Sequence, residues 1–222
     1  STLDTQLERS FITRRSPYIG IKYHIKTDFA VDKIALHNFK GGYCGISKVE
    51  NDTYNLCYLA HRSILKPHGT IESMEKQVVC ENPHLYNIWH NSDFVLDKPM
   101  VINEISFEKK RPVEQHIFMS GDAAGMITPL CGNGMAMAIH SAKTLSDLLK
   151  SQGMPVSLQA RAKIEEIYSH QWQKLFSIRL WVGRNTQKLF GGKAISKFAV
   201  KLAGYSPGIA SQIMKRTHGK PF

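Results

Sequence analysis

The chain has 222 residues, 42% apolar and 21% charged, with 16 Gly and 9 Pro, a usage that excludes a disordered or fibrous protein and suffices for one large core or two small ones. No run of 18 apolar residues occurs, and the polar opening Ser1-Thr2-Leu3-Asp4 lacks the basic-then-apolar order of a secretory signal, so a soluble cytoplasmic protein is expected. Cys44, Cys57, Cys80 and Cys131 form no C-x-x-C pair and no zinc-type spacing, which predicts free thiols and no metal site. The net charge of +11 is uneven: residues 171–222 hold seven Lys and three Arg with no acid, while residues 1–170 sum to +1. The tail alone is basic, and without an aromatic platform or zinc spacing beside it nucleic acid is not the expected partner.

Residues 1–16 are polar and read as a connector. From Pro17, Ile19, Ile21, Tyr23 and Ile25 alternate with Gly20, Lys22, His24 and Lys26, the period of a half-buried strand. Lys33–Phe39, Gly42–Val49 and Thr53–Leu59 follow as strands, with Lys40-Gly41-Gly42 and Glu50-Asn51-Asp52 as turns, giving an antiparallel meander. Ile71, Met74, Val78 and Val79 suit an amphipathic helix that stops near Pro83, followed by a short helix over Leu85–Trp89. Val101–Phe107 returns to strand composition and pairs back onto the meander. Gln115–Ser120 reads as a short buried strand. From Gly134 a long helix is expected to bury Met135, Ala138, Ile139, Ala142, Leu145, Leu148 and Leu149. A further helix runs from Val156 to Phe190, and shorter basic helices follow Gly191-Gly192.

The chemistry concentrates in Gly121-Asp-Ala-Ala-Gly-Met-Ile-Thr-Pro-Leu-Cys-Gly-Asn-Gly134, between a strand and a long helix. A strand ending in Gly121-Asp122 places a carboxylate at a sheet edge, where it can accept hydrogen bonds from sugar-like hydroxyls. Gly132 and Gly134 let the backbone approach a ligand, and the helix start offers unsatisfied N–H groups and a positive dipole end. Gly132-x-Gly134-x-x-Met137 is not the dinucleotide fingerprint, because the third position is not small. A glycine-rich loop capping a core helix is the plain alternative.

Ile117-Phe-Met-Ser-Gly121-Asp122-Ala-Ala-Gly125, with Pro129, Gly132-Asn133-Gly134-Met135 and a long helix, resembles the second FAD-binding motif of the flavoprotein hydroxylase and geranylgeranyl reductase superfamily. The resemblance implies that Asp122 bonds a ribityl hydroxyl of FAD and that Gly132 to Met135 lie beside the pyrimidine edge of the isoalloxazine. Gly121 and Pro129 belong to the same cofactor-binding set. Arg15-Ser-Pro-Tyr-Ile-Gly20 and Phe39-Lys-Gly-Gly-Tyr-Cys-Gly45 look like the family's substrate-domain sheet, which makes Tyr43, Cys44 and Gly45 candidate substrate contacts and Cys44 a candidate catalytic residue. The GxGxxG turn that opens such flavoproteins is absent, so the chain looks like their C-terminal part.

The residues outside that motif read plainly. His37 and His140 are packing or surface residues, His140 on a polar helix face; Glu165-Glu166 is a polar face, and Asp52 and Asp97 sit in turns. Trp172, Phe176, Leu180 and Trp181 follow helical spacing and are expected in a core. The expected fold is α+β: a connector over 1–16, an antiparallel sheet domain over 17–112, a FAD-binding segment over 113–152 and a helical basic tail over 153–222. The resemblance implies hydride or electron transfer from NAD(P)H or a protein donor through flavin to an apolar, isoprenoid-like small molecule. Flavin monooxygenase chemistry, and a non-catalytic module for an apolar ligand or a membrane, are the alternatives. Residues 171–222 are drawn toward an anionic membrane surface, making peripheral membrane association the second expectation for location.

Overall fold

The computed structural model describes residues 2–9, 17–153, 155, 157–188 and 207–218. The chain divides into two compact units, one of residues 15–106 with 189–202, the other of residues 1–14, 107–188 and 203–222. The segment over 113–152 and the helices after it therefore share a unit with the N-terminal residues. Residues 10–16, with Arg15 and Ser16 of the expected connector, and the basic stretch after Gly191-Gly192 up to Ser206 lie outside the described residues.

The first unit is a six-stranded sheet of β1 (Tyr18–Lys26), β2 (Ile34–Phe39), β3 (Gly42–Lys48), β4 (Tyr54–His61), β5 (Asp93–Phe94) and β6 (Met100–Ile105). Its order is β2-β3-β4-β1-β5, with β6 also pairing β1. All pairs are antiparallel, and the meander and the return of β6 match the sequence reading. The Asn51-Asp52 turn takes two positive φ angles, 54° and 51°, the conformation whose twist suits a tight hairpin.

The alternation of β1 decides which face is covered. Ile19, Ile21, Tyr23 and Ile25 are buried beside Cys44, Ile46, Leu56 and Tyr58. Met74, Val79, Leu85 and Ile88 complete this core from the helical segment. That segment is not one helix stopped at Pro83. The helix α2 (Arg62–Leu65) is followed by α3 (Ile71–Gln77), which ends where Val78 leaves helical geometry at φ −122°. Pro83 then begins α4 (Pro83–His90), with the Asn82 side chain accepting from the His84 and Leu85 N–H groups. Proline lacks the N–H that a first helical turn leaves unsatisfied, so it starts a helix as readily as it stops one.

The second unit holds α1 (Thr2–Gln6), the hairpin β7 (Val113–Glu114) with β8 (Ile117–Phe118), and the helices α5 (Gly134–Gln152), α6 (Leu158–Lys188) and α7 (Pro207–His218). The expected buried strand over Gln115–Ser120 is a two-residue arm instead, because Gln115 and His116 take positive φ and turn the chain, leaving Ile117 38% exposed. On α6, Ile164, Tyr168, Trp172, Phe176 and Leu180 recur every four residues and are all buried. Trp181 falls off that line and is 61% exposed, contrary to the expectation of a core residue.

Among the described residues the sheet unit buries one carboxyl deep in its core. Glu75, 5% exposed, accepts hydrogen bonds from the hydroxyls of Tyr23 at 2.8 Å and Tyr58 at 2.7 Å. Burial is the largest influence on it and raises its pKa; the tyrosine bonds and one from Trp89 oppose the rise. A carboxyl whose pKa is higher folded than unfolded holds its proton longer in the folded chain, so its contribution is complete below the ordinary range and is lost as pH climbs through the raised value. Relative to Glu75→Gln, the wild-type Tm is expected to decline as pH rises from about 4 to about 8. Parallel Tm curves across that range would show that Glu75 does not couple folding to protons.

Candidate functional site

The loop from Met119 to Gly134 is built from two short 3-10 turns, Gly121–Ala123 and Pro129–Cys131, that carry the chain from β8 to α5. Gly121 has φ +57°, and a Cβ there would lie 3.1 Å from the Ala138 Cβ, so the loop's first turn sits directly against α5. The Ser141 hydroxyl holds it there, accepting from the Ser120 hydroxyl at 3.2 Å and the Gly121 N–H at 3.4 Å. Tyr168 of α6 is 3.3 Å from the same hydroxyl and donates to the Met119 carbonyl at 2.7 Å. Asp122, the next residue, is thereby fixed alongside the first turns of α5, with an exposed side chain. Partial burial raises its carboxyl pKa, while Lys110 pulls the other way.

The start of α5 lacks a side-chain cap. Asn133 stands at the cap position, where its oxygen could accept from a helix N–H. It is 4% exposed and turned inward, its amide donating to the Thr217 carbonyl at 2.8 Å and the His218 carbonyl at 3.4 Å at the end of α7. The first intrahelical acceptor relation of this end runs from the Met137 N–H to the Asn133 carbonyl, so the N–H groups of Gly134, Met135 and Ala136 precede the helical ladder. Gly132 just before them has φ +63°, and nothing lies within 4 Å of where its Cβ would stand. Three amides, the positive end of a 19-residue helix and an open backbone surface together favour an electron-rich planar or anionic group.

The sequence stripe on α5 is only half realised. Leu145, Leu148 and Leu149 pack into the core with Met137, while Met135 is 84% and Ile139 63% exposed. Their exposure follows from the seat of Gly121 on Ala138 and of Ser141 on Tyr168, which rotates the opening turns of α5 away from the stripe's inward face. His140 is not on a polar face: it is partly buried, with its ring edge-on to Phe176 at 5.3 Å.

The loop is held from its other side by residues that no motif marks. Arg9 is 1% exposed and pairs with Asp4 at 3.0 Å and Glu114 at 2.7 Å. It also donates to the Ala123 carbonyl at 2.7 Å and the Arg111 carbonyl at 3.1 Å. Lys110 donates to the Asp122 carbonyl at 2.8 Å. A lone arginine in a polar stretch carries no periodicity from which this role could be read. Glu75 was likewise not singled out in the sequence; its place four residues after Ile71, on the apolar face of its helix, is the signal that marks it.

The other candidates fall in the sheet unit. Tyr43 and Cys44 are 3% and 0% exposed. Cys44 joins the core face with Ile46, and burial pushes its thiol well up, which keeps it protonated; that is a packing position rather than one for a thiolate. Tyr43 pairs in register with Leu59 and, with Gly45, points to the opposite face of the sheet. Cys131 is partly buried, its thiol raised by burial, and it lies 3.4 Å from the Thr128 hydroxyl. His37 stacks on His84 at 5.4 Å. All four cysteines are free, and among the described residues no group of three or more His, Cys, Asp or Glu could hold a metal ion. Among those residues no helix is long and apolar enough to cross a membrane.

No family model and no curated protein matches the chain. Solved structures do. The Diels-Alderase PyrE3 of pyrroindomycin biosynthesis aligns with a TM-score of 0.60 at 15% identity over 94% of this chain and 45% of its own. The flavin-dependent halogenase CmlS aligns at 0.58 and 15% identity over 76% of this chain and 31% of its own. Klebsiella pneumoniae HpxO, complexed with FAD and uric acid, aligns at 0.57 and 14% identity over 92% and 53%. At these identities the likeness is one of fold, and the chain spans between about a third and just over half of the length of these proteins.

Removing the buried guanidinium would take one partner from each of the Asp4 and Glu114 carboxylates and the Ala123 and Arg111 carbonyls. Arg9→Met is expected to destabilise the helical unit by about 3 kcal/mol in urea unfolding, the usual cost of breaking a buried pair from one side. A loss below about 0.5 kcal/mol, the scale of exposed pairs, would show that Arg9 does not hold the loop.

Proposed function

We propose that the chain is the C-terminal part of a FAD-dependent oxidoreductase, with Asp122 and the start of α5 gripping the ring end of the flavin. The uncapped helix start carries this reading: Asn133 is spent on α7, no side chain caps α5, and the backbone at Gly132 just before it has open space where a Cβ would stand. In this assignment Asp122 accepts a ribityl hydroxyl. Gly132, Asn133, Gly134 and Met135 supply the backbone along the pyrimidine edge. Gly121 and Pro129 shape the loop. The positive end of the α5 dipole would favour negative charge on a ring held there. Bound flavin would supply two-electron chemistry, taking reducing equivalents from NAD(P)H or a protein donor. The fold neighbours include a flavin-dependent halogenase, a probable FAD-dependent monooxygenase and a protein complexed with FAD, which supports flavin oxidoreductase chemistry of the hydroxylase type; reduction of an apolar, isoprenoid-like substrate is the other chemistry proposed, on the sequence resemblance.

The sheet unit is the proposed substrate side. Tyr43 and Gly45 present the face opposite α3 and α4, and Cys44 fills volume beneath them. The basic residues of the tail are proposed to favour an anionic membrane surface, where an apolar substrate would reside.

Titration of the protein with FAD, followed by flavin fluorescence, tests the assignment. Asp122→Ala is expected to weaken binding at least tenfold while leaving the far-UV circular dichroism unchanged, in line with the loss of a hydrogen bond to a charged acceptor. Equal FAD affinity of the variant and the wild type would remove the carboxylate from the site.

A further inference from the structure

We propose that the helical unit carries a phosphate- or diphosphate-binding groove, formed where residues 109–110 lie along α6 and independent of the flavin reading. The groove encloses about 300 Å³ and is walled by Lys109, Lys110, Lys174 and Arg184, with Trp172 and Leu180 at its base and His170 at its rim. No carboxylate lines it.

Three observations converge on an anion. The first is the spacing on α6: positions 170, 174, 177 and 184 return to one helical face, so the cations form a single wall rather than a solvated scatter. The second is a surplus of donors. Lys174 and Lys109 have no hydrogen-bond or ion-pair partner among the described residues. The Trp172 indole N–H, in a residue 4% exposed, is buried without an acceptor there. A phosphate, which brings acceptors and no obligatory donors, is the complementary group for lysines left in this state. The third is that the wall is partly dry. Lys110 is shifted down chiefly by burial, with Arg9 adding repulsion and Asp4 and Asp122 only partly offsetting it. A bound anion would relieve that crowding, and its attraction would be screened less than at an open surface.

The apolar base narrows the ligand further. An inorganic anion needs only the wall, whereas Trp172 and Leu180 beneath it would accommodate an organic body attached to the phosphate. Two sources share this chemistry, a phospholipid headgroup and a soluble organic diphosphate.

The test is calorimetric titration of the full chain with sodium pyrophosphate at low salt. Saturable 1:1 binding is expected. Lys174→Glu, at an exposed position without a structural partner, should weaken it at least tenfold. Trp172→Phe should weaken it severalfold while keeping the aromatic base, and Lys66→Glu in the sheet unit should leave it unchanged. A second arm adds vesicles of phosphatidylcholine with and without phosphatidic acid. Binding to the phosphatidic acid vesicles that pyrophosphate displaces identifies the headgroup source, and pyrophosphate binding without vesicle binding identifies the soluble one. Absence of saturable pyrophosphate binding, or equal binding by Lys174→Glu, overturns the proposal. Vesicle binding that neither pyrophosphate nor Lys174→Glu reduces also overturns it. None of these outcomes depends on flavin.

Discussion

A single buried guanidinium holds together the part of the molecule on which its function would rest. Arg9 reaches two carboxylates and two backbone carbonyls from segments more than a hundred residues apart. Burying such a group is unfavourable unless its donors are met, and here four separate acceptors meet them. Because the demand is geometric as well as electrostatic, it fixes the N-terminal segment, the β7–β8 hairpin and the Asp122 loop relative to each other. The carboxylate proposed to meet a cofactor is therefore one residue away from a carbonyl that Arg9 holds.

The opposite side of that loop is set by packing against helices. Ser141 and Tyr168 link the Gly121 turn to α5 and α6, and Asn133 ties the start of α5 to the end of α7. This last bond has a chemical consequence. A cap residue that would normally quench the helix end is diverted into the interior, so no side chain caps α5, which is the feature the proposed flavin site uses. Rigid surroundings and an unsatisfied end are what a preorganised electrostatic site requires.

The sheet unit is stabilised differently. Its core is apolar except for Glu75, whose carboxyl lies beneath the tyrosine hydroxyls of β1 and β4. Two donors from adjacent strands converging on one oxygen pin α3 to the sheet in one register, as an apolar contact of the same area would not. The result is a firm platform whose other face carries Tyr43 and Gly45. The cationic wall of α6, in the helical unit, adds a second surface with chemistry of its own, suited to an acceptor-rich ligand rather than a flavin ring.

Local pattern was enough to read much of this. The period-2 alternation of Ile19 to Ile25, the turns at Gly41 and Asn51, and the four-residue spacing on α6 follow from backbone geometry and the burial of one face, so the antiparallel meander and the long helices were legible. The Gly121-Asp122 and Gly132–Met135 segments were legible as a glycine-rich loop leading into a helix start, because glycines and a helix start constrain what the backbone can do. The tertiary structure alone decided which face of α5 is buried, that Gln115–Ser120 is a hairpin arm, that Cys44 points inward, and that Arg9, Lys110 and Glu75 serve as anchors. Those outcomes depend on contacts between residues far apart in the chain, and a period in the sequence reports which side of an element is apolar, not which partner will come to cover it.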